Sequence, residues 1–367
     1  MAAGVRIRPA VAKDGAALLA AAAQIDCETE FLGVPGQAHP WAERPEAELR
    51  SLADSGRGTV LLAVTGAGEI IGYLSAFAGH FVRNRGNVFI AVVGLREAWR
   101  GRGIGTCLFE TIEAWARGRQ TWRLELRVSS LNERGQALYR KRGFAVEGRI
   151  RAGVLRHGAW TDDFWMGKLL HPLPGALPAA ERPVGLAART RRPASGEPRL
   201  REMRPGDGTA FREWDRSLCA AHPFGLKLPS ECGSAEAVDR DIAAVSADPR
   251  FWLAATVPVS GGGERIVGFA SGNIEYGFRM QYDAFVNVGI LPEWCGGGLG
   301  RRMHDEIAAW AQGYGVRRLS AAVQAPNHAG RAFAAALGYD EEVTMRGYSL
   351  IDGRMVDRLR LGKLLVE

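Results

Sequence analysis

Arg100-Gly101-Arg102-Gly103-Ile104-Gly105 follows the apolar run Val88–Leu95 and leads into Ile104, Leu108, Ile112 and Trp115 at helical spacing. A strand that turns through glycines into a helix presents unpaired backbone N–H groups, and the helix dipole adds positive potential there. Glycines let the chain adopt positive φ and approach a ligand closely. The chemistry is anion binding, with a pyrophosphate as the natural guest. The run is not a dinucleotide fingerprint, because Thr106 holds the third glycine position, and it lacks the Gly-Lys-Ser/Thr of a nucleotide P-loop. Taken alone, it reads as a tight strand-to-helix turn. Further on, Asn132 opens a second helix that Gly143-Phe144 closes, and Tyr139 lies seven residues beyond Asn132. A phenol with an ordinary pKa of about 10 keeps its proton at neutral pH and can give it to a leaving group. The plain alternative for Tyr139 is a core aromatic on an amphipathic helix.

The chain carries this pattern twice. Residues 94–170 and 289–365 align without a gap at an offset of 195, with 26 of 77 positions identical. Gly101, Gly103 and Gly105 fall on Gly296, Gly298 and Gly300, Thr106 on Arg301, and Asn132 on Asn327. Arg100 falls on Cys295 and Tyr139 on Ala334, with Phe333 beside it. So long a period means two copies of a whole domain rather than a solenoid.

A basic residue or Gln, then x-x-Gly-x-Gly after a strand, then an Asn opening a helix that ends in Gly-Phe/Tyr, resembles the GNAT superfamily of N-acetyltransferases. Leu124-Glu125-Leu126-Arg127-Val128 and Glu147-Gly148-Arg149 make the first copy similar to the bacterial amino-acid and ribosomal-protein branch. The resemblance implies acetyl-CoA as donor and a primary amine as acceptor: an amino acid, a peptide or protein N-terminus, or an amine-bearing antibiotic. It implies that Arg100, Gly101, Arg102, Gly103, Ile104, Gly105 and Thr106 cradle the CoA pyrophosphate. Backbone groups of Val93 and Leu95 would pair with the pantetheine arm, and Asn132 would bond it further along. Tyr139 would protonate the thiolate. In the second copy Val288, Ile290, Gly296, Gly298, Gly300, Arg301 and Asn327 are the corresponding cofactor-binding set. Direct attack by the amine needs no covalent cysteine and no metal.

The general base is open. Glu125 is a candidate, or a solvated surface charge. His80, Glu28 and Glu30 could serve an acceptor cleft or be loop residues, and a water can relay the proton. Phe31 and Trp41 could line an acceptor pocket or pack on the sheet. Cys295 beside a helix N-terminus is a reactive thiol or a small filler. The first copy is expected to be catalytic and the second degenerate, still able to bind acyl-CoA. The reverse assignment, and a non-catalytic acyl-CoA-binding protein, stand as alternatives.

These groups need a strand, a glycine turn and a helix in fixed relation, twice. Strands are expected at Val5–Arg8, Val60–Val64, Ile70–Phe77, Val88–Leu95 and Arg123–Val128, and a closing pair around His157-Gly158. Helices are expected at 14–24, 45–54, 104–117 and 133–142. The second copy repeats the order from Leu200–Met203 onward. The fold class is α/β (α+β): two tandem domains, each a mixed, mostly antiparallel sheet flanked by helices. The boundaries are 1–170, a linker at 171–199 with six of the seventeen prolines, and 200–367. Segments 31–57 and 221–250 differ most between copies and should shape acceptor choice.

Composition agrees with two ordinary globular domains: 47% hydrophobic, 24% charged, net charge +7. The excess charge comes without a lysine-rich run, so it reads as a mixture of solvated basic surface and attraction for an anionic ligand, and not as a nucleic-acid site. The five cysteines lack a CxxC and are odd in number, which fits reduced thiols in the cytoplasm. No apolar stretch reaches membrane-spanning length. Arg6, Arg8 and the alanines of 16–23 mimic a signal peptide, but Arg8-Pro9 and Asp14-Gly15 recur as Arg204-Pro205 and Asp207-Gly208, which reads as domain structure. The expected assembly is a monomer with a pseudo-twofold domain pair, or a homodimer.

Overall fold

The computed structural model describes residues 4–32, 42–171, 197–245, 250–274 and 282–365. Trp41 and most of the expected linker lie outside the described residues. The chain divides into two compact units, one built on the N-terminal copy together with Val343–Leu350, the other on the rest of the C-terminal copy.

The first copy runs β1 (Val5–Pro9), α1 (Gly15–Cys27), α2 (Pro45–Ser55), β2 (Gly58–Thr65), β3 (Ile70–Ala78), β4 (Asn87–Leu95), α3 (Ile104–Arg117), β5 (Arg123–Ser129), α4 (Glu133–Lys141), β6 (Ala145–Arg156) and β7 (Ala159–Leu169). Strand order is β1-β2-β3-β4-β5-β7-β6. Every neighbouring pair is antiparallel except β4 with β5. The central strands are apolar at almost every position because both sheet faces are covered. Val60, Leu62 and Val64 pack with Leu18, Ile25 and Leu49 from α1 and α2. Leu61, Leu74, Ile90 and Leu126 pack on the other face with Leu108 and Ile112 from α3 and Leu138 from α4.

The second copy runs β8 (Arg199–Glu202), α5 (Gly208–Ala221), α6 (Ala235–Val245), β9 (Arg250–Pro258), β10 (Glu264–Ile274), β11 (Asp283–Ile290), α7 (Leu299–Gly313), β12 (Arg318–Gln324), α8 (His328–Ala336), β13 (Asp340–Ile351) and β14 (Arg354–Leu364). The order β8-β9-β10-β11-β12-β14 again has one parallel pair, β11 with β12. Trp214 of α5, Ile242 of α6 and Met303 and Ile307 of α7 share its core. Each copy thus forms the expected mostly antiparallel sheet with flanking helices. Among the described residues, no helix is long and apolar enough to cross a membrane, and the five cysteines are free.

Candidate active site

β4 and β5 part early. Their pairing runs only from Asn87–Arg123 to Ile90–Leu126. Beyond that β4 continues against β3 while β5 continues against β7. The β3–β4 register shifts between Ser75–Val92 and Ala76–Ile90, which leaves Ala91 as a bulge. Ala91 and Val92 consequently both pack toward α1, and the bulge bends β4 and breaks its alternation. The result is a wedge between two strands with backbone groups on its walls. The Arg96 N–H donates to the Ile71 carbonyl at 2.9 Å. Alternation along an antiparallel ladder therefore turns the backbone groups of Val93 and Leu95 away from β3, into the wedge.

At the mouth of the wedge lies the glycine loop. Gly101 and Gly103 have φ of +77° and +80°. A Cβ on Gly103 would meet nothing within 4 Å, so backbone conformation, not crowding, makes it glycine. The N–H groups of 101–106 have no backbone acceptor among the described residues, and helical bonding begins with Cys107 N–H to the Gly103 carbonyl. Arg102 lies 5.1 Å from the Trp99 ring centroid, which keeps a cation at this anion site.

Arg100 is different. Its Nε donates to the Leu95 carbonyl and its Nη2 to the Glu28 carbonyl, both at 3.0 Å. The guanidinium expected on the ligand is instead a strut between the end of α1 and the end of β4. Burial pushes the Glu28 carboxyl up, but Arg96, the Glu97 N–H and Arg100 outweigh it and hold it below its ordinary value. Glu28 is therefore committed inside the protein. Glu30 accepts from or pairs with His157 at 2.9 Å, Arg156 lies over the Phe31 ring, and His80 is an exposed neighbour of Arg57.

Asn132 caps α4, its Oδ1 accepting from the Gly135 N–H at 2.8 Å. Its Nδ2 has no partner among the described residues and can still donate. Tyr139 is half-buried against Phe109 and Phe144, with centroids at 5.5 and 6.3 Å. Its hydroxyl has no partner among the described residues. Burial pushes its pKa up to about 12, so it stays protonated across the physiological range.

Glu125 is no solvated charge. It is buried, and its Oε2 accepts from Arg123 Nε at 3.1 Å and Trp165 Nε1 at 3.2 Å. Arg123, itself fully buried, also binds Glu147. In the second copy Arg318 keeps Glu342, but its other carboxylate is Asp283 on β11, and Ser320 stands where Glu125 would be. The conserved requirement is two carboxylates around a buried arginine. That explains Glu125 without catalysis.

The second copy retains the cradle. Gly296 and Gly298 have φ of +86° and +82°, and the N–H groups of 296–301 again have no backbone acceptor among the described residues. Leu291 N–H donates to Val267 at 3.0 Å, which turns Val288 and Ile290 toward the β11–β12 gap. Asn327 caps α8 through the Gly330 N–H at 3.0 Å. Gly300 lets the Phe333 ring pack closely. The Arg301 side chain points to the Ala336 carbonyl at 2.6 Å and not into the loop. Burial and then Glu293 raise the Cys295 thiol above its ordinary value, which favours the small-filler reading.

One difference lies in the strand itself. Val88 pairs with Leu124, and Ala284 with Leu319, at equivalent places in the two copies. From there to the equivalent ends Leu95 and Ile290, β4 fits one residue more, as the whole strands show: Asn87–Leu95 has nine residues and Asp283–Ile290 eight. The β10–β11 register has no shift. The second copy lacks the bulge.

A model of the acetyltransferase (GNAT) family matches residues 21–144 and again 217–339. The chain belongs to the acetyltransferase (GNAT) family. It is an acyltransferase with two tandem GNAT domains. The L-amino acid N-acetyltransferase AaaT of Escherichia coli (strain K12) is 29% identical over 165 residues, 44% of this chain and 96% of that protein. Among solved structures, a GNAT acetyltransferase from Streptococcus pneumoniae is 30% identical with a TM-score of 0.43, covering 45% of this chain and 99% of that one. YncA of Salmonella typhimurium, whose structure carries its cofactor acetyl-CoA, is 18% identical with a TM-score of 0.41, covering 47% and 96%.

Sequence reasoning missed Ala91, Arg127 and Asp163. Arg127 and Asp163 share the sheet face with Phe89, Glu125 and Trp165, opposite α3. Arg127 Nε donates to Asp163 Oδ2 at 2.6 Å. Asp163 Oδ1 is buried and has no hydrogen-bond partner among the described residues. The second copy has Ala322 and Arg358 at these positions. No local spacing links residues on different strands, so only the contrast between copies could have found them.

Proposed function

We propose that the first GNAT domain transfers the acetyl group of acetyl-CoA to the primary amine of an amino acid, and that the second binds acyl-CoA without turnover. The observation that carries this reading is the asymmetry of the two wedges. Both keep the N–H cradle, the capping asparagine and the strand-edge groups; only the first has the bulge and Tyr139.

Acetyl-CoA supplies the activated acyl group. The N–H groups of 101–106 hold the pyrophosphate. Val93 and Leu95 pair with the pantetheine arm, and Asn132 Nδ2 donates to it. The bulge at Ala91 frees a backbone N–H from the ladder where β4 leaves β5, which suits a developing oxyanion. Tyr139 gives its proton to the departing thiolate. Asp163 Oδ1 is the buried acceptor on the sheet face toward α1, and it takes an N–H of the incoming amine. Glu125 neutralises Arg123, and water removes the amine proton. The amino-acid class follows AaaT, whose name states that acceptor.

The experiment is a free-thiol release assay with acetyl-CoA and a panel of L-amino acids, peptides and amine antibiotics. Turnover with amino acids that drops about 10²–10⁴-fold in Tyr139→Phe supports the assignment. CoA binding with no thiol release from any amine would leave only the binding-protein reading.

A further inference from the structure

Asp215, Cys219 and Cys232 cluster in the second unit, and no step of acetyl transfer uses them. Asp215 and Cys219 stand four residues apart on α5 and so share a helix face. The turn Pro229–Glu231 returns the chain to that face and delivers Cys232. One carboxylate oxygen and both sulfurs lie within 4.8 Å of one another, with Cys219 Sγ 3.7 Å from Asp215 Oδ1. Zinc–sulfur bonds of about 2.3 Å in a tetrahedron place two sulfurs about 3.8 Å apart. Rotamer-scale adjustment is enough to reach that. Asp215 is buried and both cysteines are half-buried. A cation already stands here: Lys227 Nζ donates to Asp215 Oδ2.

We propose that Asp215, Cys219 and Cys232 form a binding site for one soft divalent cation, zinc by the chemistry of the donors. Two sulfur donors with one carboxylate select zinc over magnesium or calcium. Loading exchanges two thiol protons for the metal: both protons go to solvent, two sulfur–metal bonds form, and nothing is oxidised. Two thiolates and a carboxylate around a divalent ion leave one negative charge, which Lys227 neutralises from beside the site. The fourth coordination position is left to water. The site belongs to the second copy alone. Aligning the pairs Arg8–Asp14 and Arg201–Asp207 puts Ala22 and Asp26 of α1 where Asp215 and Cys219 stand. A bound ion would fasten the segment after α5 to the helix.

The test uses the full-length protein, reduced and stripped with a chelator, titrated with cobalt(II). The expected result is a thiolate-to-cobalt charge-transfer band that saturates at one equivalent and is displaced by zinc. Cys219→Ser and Cys232→Ser should each weaken binding by about tenfold or more, and Asp215→Asn should keep the band at lower affinity. Circular dichroism without metal shows whether each variant is folded. Absence of the band in the wild type overturns the proposal, as does a band that survives Cys219→Ser unchanged. A Cys219–Cys232 disulfide formed in air by a protein that takes up no cobalt would also overturn it.

Discussion

Burial keeps the phenol of Tyr139, the proposed acid, in its protonated form. Its pKa, pushed up to about 12, lies above the ordinary value of about 10, so the protonated form persists as pH rises. Turnover should show no descending limb below about pH 10 that belongs to Tyr139; a limb near about pH 9 that vanishes in Tyr139→Phe contradicts this. Asp163→Asn tests the amine contact. A hydrogen bond to a charged group contributes about 1.5–3 kcal/mol, so kcat/KM for the amine should fall about 10–100-fold while KM for acetyl-CoA holds. An unchanged kcat/KM would reduce Asp163 to a partner of Arg127. In the second copy His304 and Tyr339 replace Phe109 and Phe144, with His304 Nε2 and the Tyr339 hydroxyl 3.1 Å apart. Burial lowers the His304 pKa. The folded value thus lies below the unfolded value of about 6.5, and the unfolded chain binds more protons in acid. Stability should be full above about pH 6.5 and decline as pH falls below it, and the double change His304→Phe with Tyr339→Phe should flatten that decline in acid-unfolding curves. The glycines and Asn132 were legible because turn geometry and capping act within a few residues. The burial of Glu125 was not legible, because alternation assigns a strand face but not its depth.

At the scale of elements, the bulge separates a strand proposed only to bind from one proposed also to catalyse. β11 shows that this fold forms without the extra residue. Deleting Ala91 should therefore leave a cooperatively folding protein that still binds CoA by calorimetry, with turnover reduced by about 10²-fold or more, the range seen on removing an oxyanion donor. Full activity in a folded deletion variant would remove the bulge from the reaction. The strands and major helices were legible from periodicity. The bulge was not, because the gapless alignment begins at residue 94, just past it. Nor was α6, which stands between α5 and β9 as α2 stands between α1 and β2, because segments 31–57 and 221–250 share little sequence.

For the whole molecule, duplication was plain in the sequence, and the family matches fall on both copies. What the sequence could not show is how far the second copy has drifted. It keeps a buried arginine with two carboxylates but recruits one of them from a different strand. It keeps the cradle but lacks the bulge and the phenol. A fold held by these interactions can persist after its chemistry is lost. The most direct measurement is steady-state free-thiol release from acetyl-CoA with L-amino acids, comparing wild type with Tyr139→Phe at matched CoA occupancy. The account predicts turnover in the wild type and a loss of about 10²–10⁴-fold in the variant. Near-wild-type turnover in Tyr139→Phe, abolished instead by Asn327→Ala, would place the working site in the second copy and contradict it.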